Sequence, residues 1–122
     1  MSSVINDPLA EAWLESLIAT QCFASLHFEV PNPDDPSASE VTGATYARSM
    51  LTWEWAPSDR RSVVNLQDLA WTNLNKVTIV CVGVWTEPTK GDLLLWAQLD
   101  APIPVEDRGS WMIDAKEFYV HL

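Results

Sequence analysis

Two histidines, two cysteines and seventeen acids are the side chains of this 122-residue chain best suited to act as acids, bases, nucleophiles or metal ligands. Such chemistry needs several of them held together, and their spacing provides little of that. His27 and His121 stand far apart, each in an alternating run that turns it to the polar side. Both read as partly exposed strand histidines. Cys22 opens the run CFASLHFEV and Cys81 lies inside VTIVCVGVW, so both read as buried, inert thiols rather than a disulfide scaffold or an activated thiolate. There is no glycine-rich phosphate loop, no paired-histidine zinc motif and no CxxC. The acids are numerous enough for chance carboxylate pairs, and nothing sets their separation around a substrate. No residue earns a catalytic, cofactor-binding or metal role, and the expected function is not enzymatic.

Charge narrows the partners. Seventeen acids against seven bases leave a net charge of −10, whereas a duplex-binding protein needs a concentrated cationic face. Arg60 and Arg61 form the only dense basic spot, too small to neutralise a nucleic-acid backbone, so no direct nucleic-acid contact is expected. The acids concentrate in a Pro-rich loop at 29–40, where Glu29, Asp34, Asp35 and Glu40 accompany Pro31, Pro33 and Pro36. That loop lacks the ligand pattern of a helix-loop-helix calcium site. It reads either as a solvated connector or as a surface arm whose Asp34 and Asp35 meet a basic partner.

These groups must be positioned by one helix and several strands. Asn6 or Asp7 as cap, Pro8 in the first turn and Glu11 near the amino terminus predict a helix over 8–19. Leu9, Trp13 and Leu17 recur every four residues, and Leu14 and Ile18 widen that apolar stripe. Alternation predicts strands at 22–30, with Cys22, Ala24, Leu26 and Phe28 inward, and at 45–55, with Leu51, Trp53 and Trp55 on one face. Residues 61–66 and 68–73 read as two short strands or one interrupted strand. The run 77–85 is apolar on both faces and reads as a central strand, hairpinned to DLLLWAQLD. Pro102 and Pro104 are expected to break the next segment, before two last extended runs, SWMIDA and EFYVHL. The count favours a single domain over 1–122: a mainly β, antiparallel sandwich or barrel-like fold with one short amino-terminal helix. No apolar run approaches the ~18 residues of a membrane span, and the first residues lack a secretory pattern, so no membrane contact is expected.

Several segments resemble a family. ASLHF at 24–28, the Pro/Asp/Ser loop and SEVTGATYARSMLTW at 39–53 are similar to small structural proteins of tailed bacteriophages, described as minor capsid, head-decoration or tail-fibre-like. Glu40, Val41, Thr42, Gly43, Tyr46, Ala47 and Arg48 carry the most specific block. VTIVCVGVW and KGDLLLWAQLD resemble the family's central strand, turn and following strand, so the resemblance spans about residues 9–122. It implies a virion structural protein, assembled in the host cytoplasm, that works by repeated protein contacts and needs no cofactor. A minor capsid or capsid-decoration role is favoured; the alternatives are a tail-tip or fibre-associated role, or receptor or glycan binding through Trp53, Trp55, Trp71 or Trp111.

The expected partners are other copies of the chain, in a closed group such as a trimer, and major capsid or tail proteins. Leu9, Trp13 and Leu17 are candidate contacts, and Arg48, Arg60, Arg61 or Arg108 should sit near partner acids. Within the family-like block, Tyr46 and Arg48 are predicted to share a strand face. Arg48 would fork onto Glu40, Glu54 or a partner carbonyl and clamp the acidic loop to the sheet, with Tyr46 over its stem.

Overall fold

The computed structural model describes residues 7–43, 45–57 and 59–122. Among these described residues, helix α1 (Asp7–Ala19) precedes nine strands: β1 (Cys22–His27), β2 (Ser49–Leu51), β3 (Trp53–Ala56), β4 (Asp59–Asn65), β5 (Leu69–Leu74), β6 (Val77–Trp85), β7 (Leu93–Val105), β8 (Gly109–Ile113) and β9 (Tyr119–His121). Their pairings are antiparallel, in sheets ordered β2-β1-β6-β7, β3-β4-β9 and β5-β8. Among the described residues these sheets stay open, so the layered reading holds and no barrel closes.

The four-stranded sheet has two different faces. Cys22, Ala24 and Leu26 of β1 and Val82 and Val84 of β6 point to the core, which they share with Leu51, Trp53, Val63, Leu69, Trp71 and Leu74. Tryptophans tie this core together, as their spread along the chain suggests. Trp71 donates from its indole nitrogen to the Ala24 carbonyl at 3.2 Å, joining the small sheet to β1. Such a donor needs a partner once its ring is buried.

Helix α1 meets this core by a different stripe from the one its period suggests. Ala10, Leu14 and Leu17 are buried, while Leu9 and Trp13 lie 57% and 48% exposed. A helix packed on β3 and β4 contacts them over only part of its circumference, and the small Ala10 lets the backbone approach. Leu17 therefore turns into the chain's own core, and Trp13 looks outward. Of the two caps expected, Asn6 lies outside the described residues, as does the side chain of Asp7, which is the first residue of α1.

Three further expectations need correction. Strand β1 ends at His27, so alternation does not reach Phe28, which is exposed. Strand β7 runs straight through Pro102 and Pro104. It can do so because it is the last strand of its sheet, where a missing N–H costs no ladder bond. The segment 45–55 is not one strand: Tyr46, Ala47 and Arg48 precede β2, and Thr52 separates β2 from β3.

Candidate functional site

The far face of the four-stranded sheet carries polar groups, and the acidic loop and the family-like block cover it. His27 is fully buried, not partly exposed as its alternation suggests. Alternation reports which face a side chain takes; it is silent on whether a later segment covers that face. Here His27 Nε2 lies 2.6 Å from Ser25 Oγ, and Nδ1 lies 3.0 Å from Ser39 Oγ in the returning loop. Ser25 Oγ also accepts from the Trp85 indole at 2.7 Å. The assignment that satisfies every group has Ser25 donating to Nε2 and Nδ1 donating to Ser39. Gly83 stands opposite Ser25 on β6, and a Cβ there would lie 2.6 Å from Ser25 Oγ and 2.8 Å from His27 Nε2. Glycine is what leaves room for this polar row.

The loop closes over the row by substituting for a missing strand. Strand β2 pairs with β1 only as far as Ala24, leaving ladder groups of β1 unpaired beyond it. The Val41 N–H donates to the Leu26 carbonyl at 2.9 Å, the Phe28 N–H donates to Ser39, and the Tyr46 hydroxyl accepts from the Leu26 N–H at 3.1 Å. Tyr46 then donates to Glu40 Oε2 at 2.7 Å. Its hydroxyl is held above its ordinary range, first by burial and then by the Glu40 charge, so it remains a donor.

Arg48 locks this arrangement. Its Nε and Nη2 fork onto the two oxygens of Glu40 at 3.0 and 2.9 Å. Its Nη1 donates to the carbonyls of Glu87 and Lys90 at 3.0 and 2.7 Å, in the turn between β6 and β7. The guanidinium carbon lies 3.8 Å from the centre of the Trp85 ring. With the Arg48 side chain 5% exposed and Glu40 13%, this is an interior ion pair. Of the acceptors that the sequence offered, Glu40 is taken and Glu54 is not. Trp85, which no sequence pattern singled out, supplies the stacking surface, and Tyr46 shares the carboxylate rather than covering the arginine stem.

A second polar group ties β4 to β9. Ser62 donates to Asp59 at 2.8 Å and lies 2.6 Å from His121 Nδ1, which is itself 3.3 Å from Asp59. The Arg61 N–H, first, and the Ser62 hydroxyl hold the Asp59 carboxyl below its ordinary range. Serine, histidine and aspartate are the residue types of a hydrolase triad, but there the histidine presents opposite nitrogens to its acid and its serine. Here Nδ1 faces both. The arrangement is a cross-strand tie. The Arg61 guanidinium donates to the Leu122 carbonyl, and the Arg60 side chain lies outside the described residues.

The remaining candidates sit apart from these clusters. Asp34 and Asp35 are exposed in a turn where Asn32 Oδ1 accepts from the Asp34 N–H at 3.0 Å. Cys22 and Cys81 are free and buried, and burial pushes both thiols up. Trp53 and Trp71 are core residues, so neither presents a ring for a sugar. No group of three or more possible metal ligands occurs among the described residues. Sequence reasoning missed Ser25, Ser39, Gly83 and Trp85; the one available signal was a glycine inside an otherwise β-branched strand.

The polar row makes a prediction about acid. Burial, opposed by Glu40 and reinforced by Arg48, lowers the His27 imidazole from 6.5 to about 4. Between those values the unfolded chain takes up a proton that the folded chain refuses. Stability is therefore intact above pH 6.5 and falls as pH drops toward 4, by at most about 3 kcal/mol from this residue. Urea unfolding across that window should show a shallower pH dependence for His27→Gln than for the parent.

The site thus belongs to a mainly β protein whose buried polar groups fasten one long loop to one sheet. A model of the family described as Podophage GP4 fiber I protein gp80 matches residues 7–121, and the chain belongs to that family. It is a tailed-phage virion protein of tail-fibre-like type, a component of the particle. No curated protein matches the chain significantly.

Proposed function

We propose that the chain is a fibre-associated structural protein of the phage tail, acting by repeated protein contacts and without catalytic turnover. The family match to a fibre protein carries this reading. It favours the fibre-associated alternative over the minor-capsid or decoration role expected from the sequence. The geometry supports it: Ser25 and His27, close enough for nucleophile and base, are fully buried, and the serine is engaged by an indole donor. A nucleophile must reach its substrate. Self-association in a closed group and contacts with other tail proteins complete the proposal, with the exposed Asp34 and Asp35 facing a basic partner surface. Fractionating purified particles into heads and tails, followed by immunogold labelling, tests it. Label on tail fibres is the expected result; label confined to heads, or absent from particles, would overturn it.

A further inference from the structure

The geometry points to the surface shared by α1, β7 and the acidic loop as a docking site for a basic, apolar segment of another protein. This rests on the proposed contacts with other tail proteins and names the chemistry of one such partner. Two hollows meet there. The larger, about 550 Å³, is lined by Pro31, Pro33 and Pro36 of the loop and by Trp96 of β7. The smaller, about 200 Å³, is lined by Trp13 and Leu17 of α1. Leu94 lines both and so joins them. The pairing of β6 with β7 shifts register between Val84 and Trp85, which leaves Leu94 as the extra residue of a bulge. A bulge re-aims its side chain and blocks the addition of a further strand, so an occupant must be held by side chains. Trp13, Leu94 and Trp96 are 48%, 39% and 42% exposed. Large apolar side chains that gather around hollows, rather than standing singly, mark interaction sites.

Charge and polarity select the occupant. Asp92 is the one charged residue lining either hollow, and Asp34 and Asp35 are exposed in the turn that carries Pro33. Lys90, two positions before Asp92, lines a different hollow beside Arg48. A second copy of the chain, itself carrying a net charge of −10, is repelled by such a surface. A sugar also fits poorly, because the larger hollow offers its hydroxyls only two polar side-chain groups, the Asp92 carboxylate and the Trp96 N–H. A lysine or arginine fits well. Its stem can lie along the prolines, and its cation gains from the indole face and from the surrounding carboxylates. An aliphatic side chain next to it suits the smaller hollow, against Trp13. The prolines fix their side of the site in advance, which lowers the ordering cost of binding.

Nuclear magnetic resonance of the nitrogen-labelled protein, titrated with a blocked peptide of three Leu-Pro-Lys repeats, tests this. Proline in every repeat keeps the probe from adding as a strand. The expected result is saturable movement of the Trp13 and Trp96 indole N–H signals while those of the buried Trp53 and Trp71 stay fixed. Binding should weaken at least ~10-fold between about 50 and about 500 mM salt. Trp96→Ala should weaken it at least ~10-fold while near-ultraviolet circular dichroism reports an intact fold. Should that variant fold poorly, the exposed Asp92 gives a milder change: Asp92→Asn should weaken binding about 3-fold and flatten its salt dependence. No saturable binding, equal binding of a Leu-Pro-Glu counterpart, or indifference to these substitutions would overturn the proposal. So would the same indole shifts with cellobiose in place of the peptide. Head–tail fractionation tests the fibre assignment separately, so each idea can fail while the other stands.

Discussion

Arg48→Lys should destabilise the protein by about 2–4 kcal/mol, far more than the ~0–1 kcal/mol of an exposed ion pair. The substitution keeps the charge and removes the planar fork. A lysine ammonium cannot reach both Glu40 oxygens and both turn carbonyls while lying flat on Trp85. The deficit would fall mainly on the part-buried Glu40, which keeps the Tyr46 donor but loses the fork; the Glu87 and Lys90 carbonyls also lose the Arg48 donor, but they are exposed and water can replace it. Unsatisfied buried groups cost about 1–3 kcal/mol each, less where water enters. Urea denaturation should show the lower midpoint, and hydrogen exchange should locate the loosening at Leu26 and Val41, whose bonds depend on the covering segment. Parental stability in Arg48→Lys would reduce the clamp to a surface contact. Glu40→Gln is the companion test, because it leaves a buried guanidinium without its counter-charge.

Gly83→Ala should cost a comparable amount, about 2–5 kcal/mol, for a different reason. Alanine is ordinarily better than glycine inside a strand, since it loses less backbone entropy. At this position its methyl would stand 2.6 Å from Ser25 Oγ, 2.8 Å from His27 Nε2 and 3.1 Å from Leu93 Cδ1. Neither polar side chain can swing away, because the Trp85 indole engages Ser25 and Ser39 holds the far side of His27. Overpacking costs about 1–3 kcal/mol, and a stranded indole or imidazole donor adds a similar amount. Thermal melting of Gly83→Ala beside a glycine-to-alanine change at the less crowded Gly43 checks this, since only the former should drop sharply. Equal, small effects would show that the polar row tolerates a methyl.

Much of the architecture was legible because it rests on local pattern. The central strand at 77–85, the hairpin after it and the break between 65 and 69 follow from apolar runs and turn residues. The helix was legible as an element, but its buried face was not. Two adjacent stripes were apolar, and which one faces inward depends on where β3 and β4 lie. Pro102 and Pro104 misled because a proline ends a strand only when its N–H is needed, and an edge strand does not need it. His27 misled for a related reason: its face is buried by a segment beginning a dozen residues later, which no local period encodes. Arg48 was legible as a fork seeking a carboxylate, whereas Trp85 and the two turn carbonyls were not, since they arrive from about forty residues away.

The order of residues was enough to set the type and succession of nearly every element, the acidity of the loop and the family-like block from Glu40 to Arg48. Those properties depend on side-chain periodicity, turn chemistry and residue identity, all written within a few positions of one another. It took the folded chain to decide that the loop returns over the sheet and that the Ser25–His27–Ser39 row is interior. Each of these depends on which distant segments share a face, and burial is a property of that sharing rather than of any residue. An imidazole, a guanidinium or a strand edge has the same local sequence whether water or protein lies beside it.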